Sequence, residues 1–266
     1  MNLLGAAVRL WQHVPLRLRK SVLAVPGLYP LANRLHSEEL DVFPLSAPLE
    51  GHRMRLHWQT CKAYVFGTVE PQVVAAIKRT VQPQQCVLDL GANVGYFTLL
   101  LAKQVGPSGR VIAFEPHRKV FEVLRENVAL NGYGQVIVEN KAVVDRSGAV
   151  HLTQNDQRPL SHVESIVPGP GQEVEAVTLD DYFACSSDRI AFAKIDIEGA
   201  EARALDGMSR ILRQDRPILV IELHGLAGRV EDHAAVERLR TAGYKVSVLD
   251  LQGNRAHILA EATGDR

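Results

Sequence analysis

Five acidic residues and one histidine stand in or just after apolar runs, where a folded chain can expose reactive groups while burying what surrounds them. Asp89 lies in "CVLDL", Glu115 closes "RVIAFE", Asp196 and Glu198 close "AFAKIDIE", and Glu222 and His224 close "PILVIELH". Carboxylates accept hydrogen bonds from hydroxyl and ammonium groups, and an imidazole exchanges protons near neutrality. Such a set suits the binding of a polar, partly cationic ligand and the removal of a proton from a second reactant.

The turn after Asp89, "GANVG", narrows the ligand. Gly91 and Gly95 permit positive φ and close backbone approach, and a helix starting near Val94 offers its unpaired N–H groups. Asn93, tolerant of the left-handed region, stands where a third glycine could be. A dinucleotide fingerprint is G-x-G-x-x-G, whereas the spacing here is D-x-G-x-N-x-G. An acid at the strand end repels a pyrophosphate but suits a ligand carrying a sulfonium and an ammonium group. Glu115, about twenty residues after Gly95, is expected at the edge of the neighbouring strand, where an acid can accept both hydroxyls of a ribose. Its alternative use is to cap the helix that starts after Pro116.

These groups meet only if the intervening elements bring them to one edge. From Gly51 onward, short β-rich runs alternate with helical patterns: "CVLDL", "VGYFTLLLAKQV", "RVIAFE", "HRKVFEVLRENVALNG", "QVIVEN". This rhythm predicts a parallel sheet with helices on both faces. It pauses between Gly148 and Asp181, where "AVHLT" and "EVEAVTL" flank "VPGPGQ" and suggest an inserted hairpin or lid. It resumes through "AFAKIDIE", "GAEARALDGMSRILRQ", "PILVIELH", "VEDHAAVERLRTAG", "YKVSVLD" and "RAHILAE". About seven strands result, the last two close enough to form an antiparallel edge pair. The expected fold is α/β and doubly wound, with a seven-stranded, mostly parallel sheet and an antiparallel edge strand. Ahead of it, "MRLHW" and "AYVF" suggest a small hairpin, and "EPQVVAAIKRTV" a helix with Pro71 in its first turn. Residues 1–50 read as a basic arm and connector, and 51–266 as the domain, with the insertion at about 148–181.

"VLDLGANVGYFTLLLA", "VIAFEP", "ENVALNG", "NKAVVD", "TLDDYF", "AKIDIEGAEARALDG" and "PILVIELH" follow one another along the chain. Together they resemble the successive motifs of the FkbM family of S-adenosylmethionine-dependent methyltransferases, over roughly Val65 to Asp250. The paired signatures GANVG and KIDIEGAE are the most specific part. The resemblance implies a class I methyltransferase fold, Rossmann-like, with bound S-adenosylmethionine, and usually O-methylation of a sugar or natural-product hydroxyl. Carried over by motif, Asp89, Gly91, Asn93 and Gly95 line the cofactor's amino-acid end and Glu115 its ribose. Asn140 to Ala142 lie near its adenine, and Asp196 is shared between cofactor and chemistry.

In an open parallel sheet, ligands collect beyond the carboxyl ends of the strands, near the point where strand order reverses. Asp196, Glu198 and Glu201 from one strand end, and Glu222 and His224 from the next, are therefore expected beside the methyl donor. Methyl transfer to an alcohol is an in-line displacement in which the hydroxyl loses its proton as the new bond forms. His224 is the expected base or substrate-positioning group, with Asp196 assisting; a histidine that only bonds local backbone is the plain alternative. Asp196, Glu222 and His224 could instead ligate Mg²⁺, which suits carboxylate oxygens, although no spacing is diagnostic and no metal ligand is assigned. Glu201 can equally stabilise the first turn of the following helix.

Lysine plus arginine and aspartate plus glutamate both total 30, so no whole-chain field recruits a polyanion. Without a basic stripe or interleaved aromatics in the core, nucleic acid is not an expected partner. The three cysteines form no C-x-x-C pair, which argues against a disulfide framework or zinc site and fits a reducing, cytoplasmic setting. No apolar run approaches the ~18 residues of a membrane span. Arg9, Arg17, Arg19, Lys20 and Arg34 make the arm basic, and Leu4, Ala7, Val8 and Trp11 recur at helical spacing. The arm is thus expected to dock on its own domain or a partner subunit, or to rest on the inner face of an anionic membrane. The expected acceptor is a small molecule or glycan. A noncatalytic nucleotide-binding scaffold and an NAD(P)-dependent oxidoreductase are the alternatives, and the oligomeric state is open.

Overall fold

A computed structural model describes residues 40–152 and 172–264. The N-terminal arm and the lid segment from Ser161 to Gly171 lie outside the described residues. The described chain opens with an antiparallel hairpin, β1 (Leu40–Pro44) and β2 (Arg53–His57), followed by α1 (Trp58–Phe66) and α2 (Pro71–Thr80). Two expectations need correction here. "AYVF" is helical, because Cys61, Val65 and Phe66 recur at helical spacing and are buried together, and that burial outweighs the β propensity of Tyr-Val-Phe. The partner of β2 comes from before Gly51, and Leu45 and Leu49 of the connecting loop are buried in the same core, so residues 40–50 belong to the domain.

The first half of the main domain is β3 (Cys86–Leu90), α3 (Tyr96–Val105), β4 (Arg110–Phe114), α4 (Arg118–Leu130) and β5 (Val136–Glu139). A small accessory sheet follows: β6 (Ala142–Val143) pairs parallel with β8 (Gln172–Val177), which pairs antiparallel with β7 (Gly148–Leu152). After the short α5 (Leu179–Tyr182) come β9 (Ile190–Ile195), α6 (Glu201–Asp206), α7 (Ser209–Gln214), β10 (Ile218–Leu223), α8 (Ala234–Thr241), β11 (Tyr244–Gln252) and β12 (Arg255–Ala262). The central sheet has seven strands in the order β11-β12-β10-β9-β3-β4-β5. β12 inserts antiparallel between β10 and β11, and every pairing from β10 to β5 is parallel. Strand order reverses between β3 and β9, which sets the switch point there.

Alternation along the strands supplies a core on each face. Val111, Phe192 and Val220 pack toward α2 and α3, whereas Ile112, Ala193, Leu219 and Ile221 pack toward α6, α7 and α8. "GAEARALDGMSRILRQ" forms two helices rather than one. The Asp180 carboxylate accepts from the N–H groups of Arg210 at 2.7 Å and Ile211 at 3.2 Å, which gives α7 its own satisfied start.

Two asparagines, Asn127 on α4 and Asn131 at its C-cap, tie the hairpin to the domain. Asn127 accepts from the Arg55 N–H at 2.6 Å and donates to the carbonyls of Arg55 at 3.1 Å and Val94 at 2.8 Å. One turn later, Asn131 accepts from the Arg53 N–H at 3.0 Å and donates to its carbonyl at 2.7 Å. The amides act as a surrogate strand for β2, and Asn127 also grips the turn that follows β3. Asn127→Ala leaves the buried Val94 carbonyl and the part-buried Arg55 N–H and carbonyl without partners, at up to about 1–3 kcal/mol each. Urea unfolding is expected to show stability lowered by about 2–4 kcal/mol, and a loss under about 0.5 kcal/mol would mean that the amide is dispensable.

Candidate functional site

The turn after β3 is shaped by two close approaches. Gly91 has φ +77°, and a Cβ there would lie 1.8 Å from the Asp196 carbonyl oxygen. Gly95 has φ +96°, and its Cβ would lie 2.7 Å from Leu124 Cδ1 on α4. Asn93 takes the left-handed backbone expected of it, at φ 50°. The N–H groups of Gly91 and Ala92 both donate to the Phe114 carbonyl, at 3.0 and 2.9 Å, so the turn folds over the end of β4. Gly91 and Asn93 are partly exposed and form its surface.

Asp89 is 0% exposed, beneath this turn rather than on its surface. Its Oδ2 accepts from Thr98 Oγ1 at 2.6 Å, locking α3 to the strand, while Oδ1 is buried without a hydrogen-bond partner among the described residues. Burial raises its pKa against the opposing effects of Lys194 and Thr98. Glu115 follows β4 and spans two loops, accepting from the N–H groups of Asn93 and His117 at 2.9 Å each. Because His117 precedes α4, the capping use foreseen for Glu115 is present; each oxygen keeps a second lone pair for a hydroxyl. Burial pushes its pKa up to about 7, opposed by those two N–H groups and reinforced by the charges of Asp89 and Asp196. Asn140 donates to the carbonyls of Glu115 and Pro116 at 2.9 Å each and so braces this segment from behind. Ala142 is buried in β6 opposite Ala176, in the accessory sheet, and is not brought to the turn by any contact described.

A second group gathers where β9 and β10 end. Lys194, buried in β9, lies 3.0 Å from Asp196 Oδ2 and 4.8 Å from the centre of the Phe97 ring. Burial alone would lower the lysine pKa, but Asp196, Asp89 and Glu70 raise it overall. Asp196 is pushed up to about 6 by burial, against the pull of Lys194, with Glu222 and Glu70 adding to the rise. His224 Nδ1 is 2.8 Å from Oε1 of Glu201, which is 0% exposed and also accepts from the Gly199 N–H at 2.9 Å. Glu201 thus does more than stabilise a helix turn: with the Nδ1 proton shared toward it, a neutral His224 keeps Nε2 bare. Nε2 has no hydrogen bond among the described residues and faces Glu198 at 3.3 Å, Glu222 at 3.7 Å and Asp196 at 3.8 Å. Burial depresses the His224 pKa, yet the Glu201 hydrogen bond and the charges of Glu201, Glu198 and Asp196 raise it overall. Glu198 sits at φ 52°, a left-handed conformation costly for glutamate by about 1–3 kcal/mol.

Sequence reasoning passed over Lys194, Glu70, Arg255 and His257. A lysine inside "AFAKIDI" and a histidine inside "RAHILAE" interrupt apolar runs, and that was the available signal. Glu70 had no signal beyond preceding Pro71. Arg255 Nη1 is 3.0 Å from Glu222 Oε1, and His257 Nε2 is 3.6 Å from Glu222 Oε2. Burial would raise the Glu222 pKa, but His257, His224 and Arg255 hold it down at about 2. His257 is driven up to about 9 by Glu222 and Glu70 despite its burial. The set Asp196, Glu222 and His224 does not fit Mg²⁺, which demands near-octahedral oxygen ligands, because its central donor is an imidazole nitrogen. Among the described residues no helix is long and apolar enough to cross a membrane.

The Methyltransferase FkbM domain matches residues 89–246, more than half of the chain. A transmembrane O-methyltransferase homolog from Rattus norvegicus is 30% identical over 114 residues, 40% of this chain and 44% of the relative. A protein-L-isoaspartate O-methyltransferase from Aeropyrum pernix is 35% identical over 116 residues, 43% of this chain and 40% of the relative. The chain therefore spans less than half the length of these two relatives. A solved S-adenosylmethionine-dependent O-methyltransferase from Thermotoga maritima shares the fold with a TM-score of 0.50 at 13% identity, over 74% of this chain and 67% of that one. With the glycine turn, Glu115, Asp196 and His224 all inside the matched span, the chain belongs to the FkbM family of methyltransferases.

Proposed function

We propose that this chain is an S-adenosylmethionine-dependent O-methyltransferase acting on a hydroxyl of a sugar, glycolipid or small natural product. The observation that carries the reading is His224. Its Nδ1 is clamped by buried Glu201, and its buried Nε2 has no hydrogen bond among the described residues, at the end of β10, one strand beyond β9 at the switch point. When bound, S-adenosylmethionine supplies an activated methyl group on a sulfonium. Gly91 and Asn93 give it close backbone approach, Glu115 accepts from its ribose hydroxyls, and the field of Asp89 and Asp196 favours its positive charge.

His224 Nε2 would take the proton of the acceptor hydroxyl, the group to whose oxygen the cofactor's methyl would be supplied. Glu201 stabilises the imidazolium that results, and Asp196 steadies its other side.

Three outcomes test these roles. Labelled methyl transfer from S-adenosylmethionine to extract-derived acceptors, read by mass spectrometry, is expected to yield methyl ethers; the absence of any methylated product rules against catalysis. In single-turnover assays at saturating substrate, His224→Ala is expected to slow transfer by about 10² to 10⁴. The wild-type rate should rise with pH through a midpoint above the ordinary histidine value of ~6.5, because the neutral imidazole is the active form and its pKa is raised. Near-normal transfer by the variant removes the base role. By calorimetry, Glu115→Ala is expected to weaken S-adenosylhomocysteine binding by about 2 kcal/mol, roughly thirtyfold. Since only the carboxylate accepts from both hydroxyls, wild-type affinity should fall as pH drops below about 7 and that of Glu115→Gln should not. Unchanged affinity in Glu115→Ala, or tight binding of NAD, contradicts the cofactor assignment.

A further inference from the structure

Glu222 and His257 are direct partners in the antiparallel register of β10 and β12, so a rigid sheet sets their side chains next to each other. Glu70 reaches the same point from the residue before α2, held in a left-handed backbone at φ 34° that glutamate seldom adopts. His257 is 4% exposed; its Nε2 is buried without a hydrogen bond among the described residues, 3.3 Å from Glu70 Oε2 and 3.6 Å from Glu222 Oε2. Glu70 Oε2 is itself buried and has no hydrogen bond among the described residues.

Two donors that each lie ~2.1 Å from one ion are about 3.0 Å apart at an octahedral angle and about 3.4 Å apart at a tetrahedral one. The observed separations are close to those edges, and the three donor atoms all lie within 4.8 Å of one another. Arg255 holds the other oxygen of Glu222 at 3.0 Å, an outer hydrogen bond of the kind that orients a ligating carboxylate. Charge points the same way. Glu70, Asp89, Asp196, Glu198, Glu201 and Glu222 outnumber Lys194, Arg255, His224 and His257 in this region, even with both imidazoles protonated.

The geometry points to a binding site for a divalent first-row transition-metal ion, of the Zn²⁺ or Mn²⁺ class, formed by Glu70 Oε2, Glu222 Oε2 and His257 Nε2. One imidazole and two carboxylates suit such an ion better than Mg²⁺ or Ca²⁺, which take oxygen ligands. Three protein ligands leave coordination positions for water or a substrate oxygen. The neighbouring group Asp196, Glu198 and His224 also converges. It is the weaker candidate, since His224 Nε2 is 3.8 Å from Asp196 and the Glu198 side chain is 37% exposed. Glu222 Oε1 is 3.7 Å from His224 Nε2, so the ion would lie one carboxylate away from the proposed base, yet its binding does not depend on the methyl-transfer reading.

The test uses the full chain stripped with chelator and titrated with Co²⁺ as a visible-absorption probe at about pH 8, where displacing the His257 proton is easier. The expected result is saturation at one equivalent, displacement by Zn²⁺, and a metal-dependent rise in Tm. Glu70→Gln and His257→Gln should each weaken binding by at least about a hundredfold, and Glu198→Gln should leave it unchanged. Far-UV circular dichroism checks that each variant folds; should His257→Gln fail, the partly exposed Glu70→Gln decides alone. No saturable binding, unchanged affinity in Glu70→Gln, or loss in Glu198→Gln with retention in His257→Gln would overturn the assignment.

Discussion

The site depends on a contact that no side chain could occupy: Gly91 lies against the backbone carbonyl of Asp196. The contact joins the ends of β3 and β9, the two strands on either side of the switch point. The Asp196 N–H donates to the Leu90 carbonyl at 2.9 Å, extending the ladder to the last residue before the turn. Because the strands stay paired to their tips, the glycine turn and the acid-rich end of β9 lie side by side at one edge of the sheet. A side chain at position 91 would pry them apart and separate Glu115 from Asp196 as a consequence.

Carboxylates crowded at these strand ends require countercharge, and the fold supplies it from the sheet itself. Lys194 rises from within β9 on the α3 face, shielded by Phe97, where Asp196 and the field of Asp89 keep it charged. Arg255 and His257 come from β12, the antiparallel strand that inserts beside β10. The insertion therefore has an electrostatic consequence as well as a topological one: without β12 in that position, Glu222 would keep only His224 as a cationic neighbour. Burial pushes Asp196 and Glu222 in the same direction, yet one is raised and the other lowered, because Glu222 has three cationic neighbours and Asp196 has mainly one. Two acids at adjacent strand ends thus hold different proton affinities.

Much of the architecture was legible in the sequence. The period-2 and helical runs marked the seven strands and most helices, since a central strand such as "CVLDL" must be buried throughout and a helix such as "HRKVFEVLRENVALNG" must keep one apolar stripe. Errors arose where local preference and tertiary burial disagreed. "AYVF" looks like a strand but is drawn into a helix by the core beneath it, and "LDVFP" looks like a connector but pairs with β2. Asp89, expected at the cofactor's amino-acid end, is buried and anchors Thr98, because residues on a strand alternate faces and position 89 points toward α3.

The sequence by itself determined the chemical vocabulary of this protein: a flexible turn after a central strand, an acid at the end of the neighbouring strand, and acids with a histidine at later strand ends. These are legible because strand ends and glycine turns are local features. Only the tertiary structure decided which of those groups meet. That Glu201 would clamp His224, that Glu70 would reach across to His257, and that Lys194 would neutralise Asp196 depends on strand order and register, which place residues far apart in the chain within a few ångströms. Such contacts leave no periodic trace along the chain, so the electrostatics of the site could be seen only once the strands were paired.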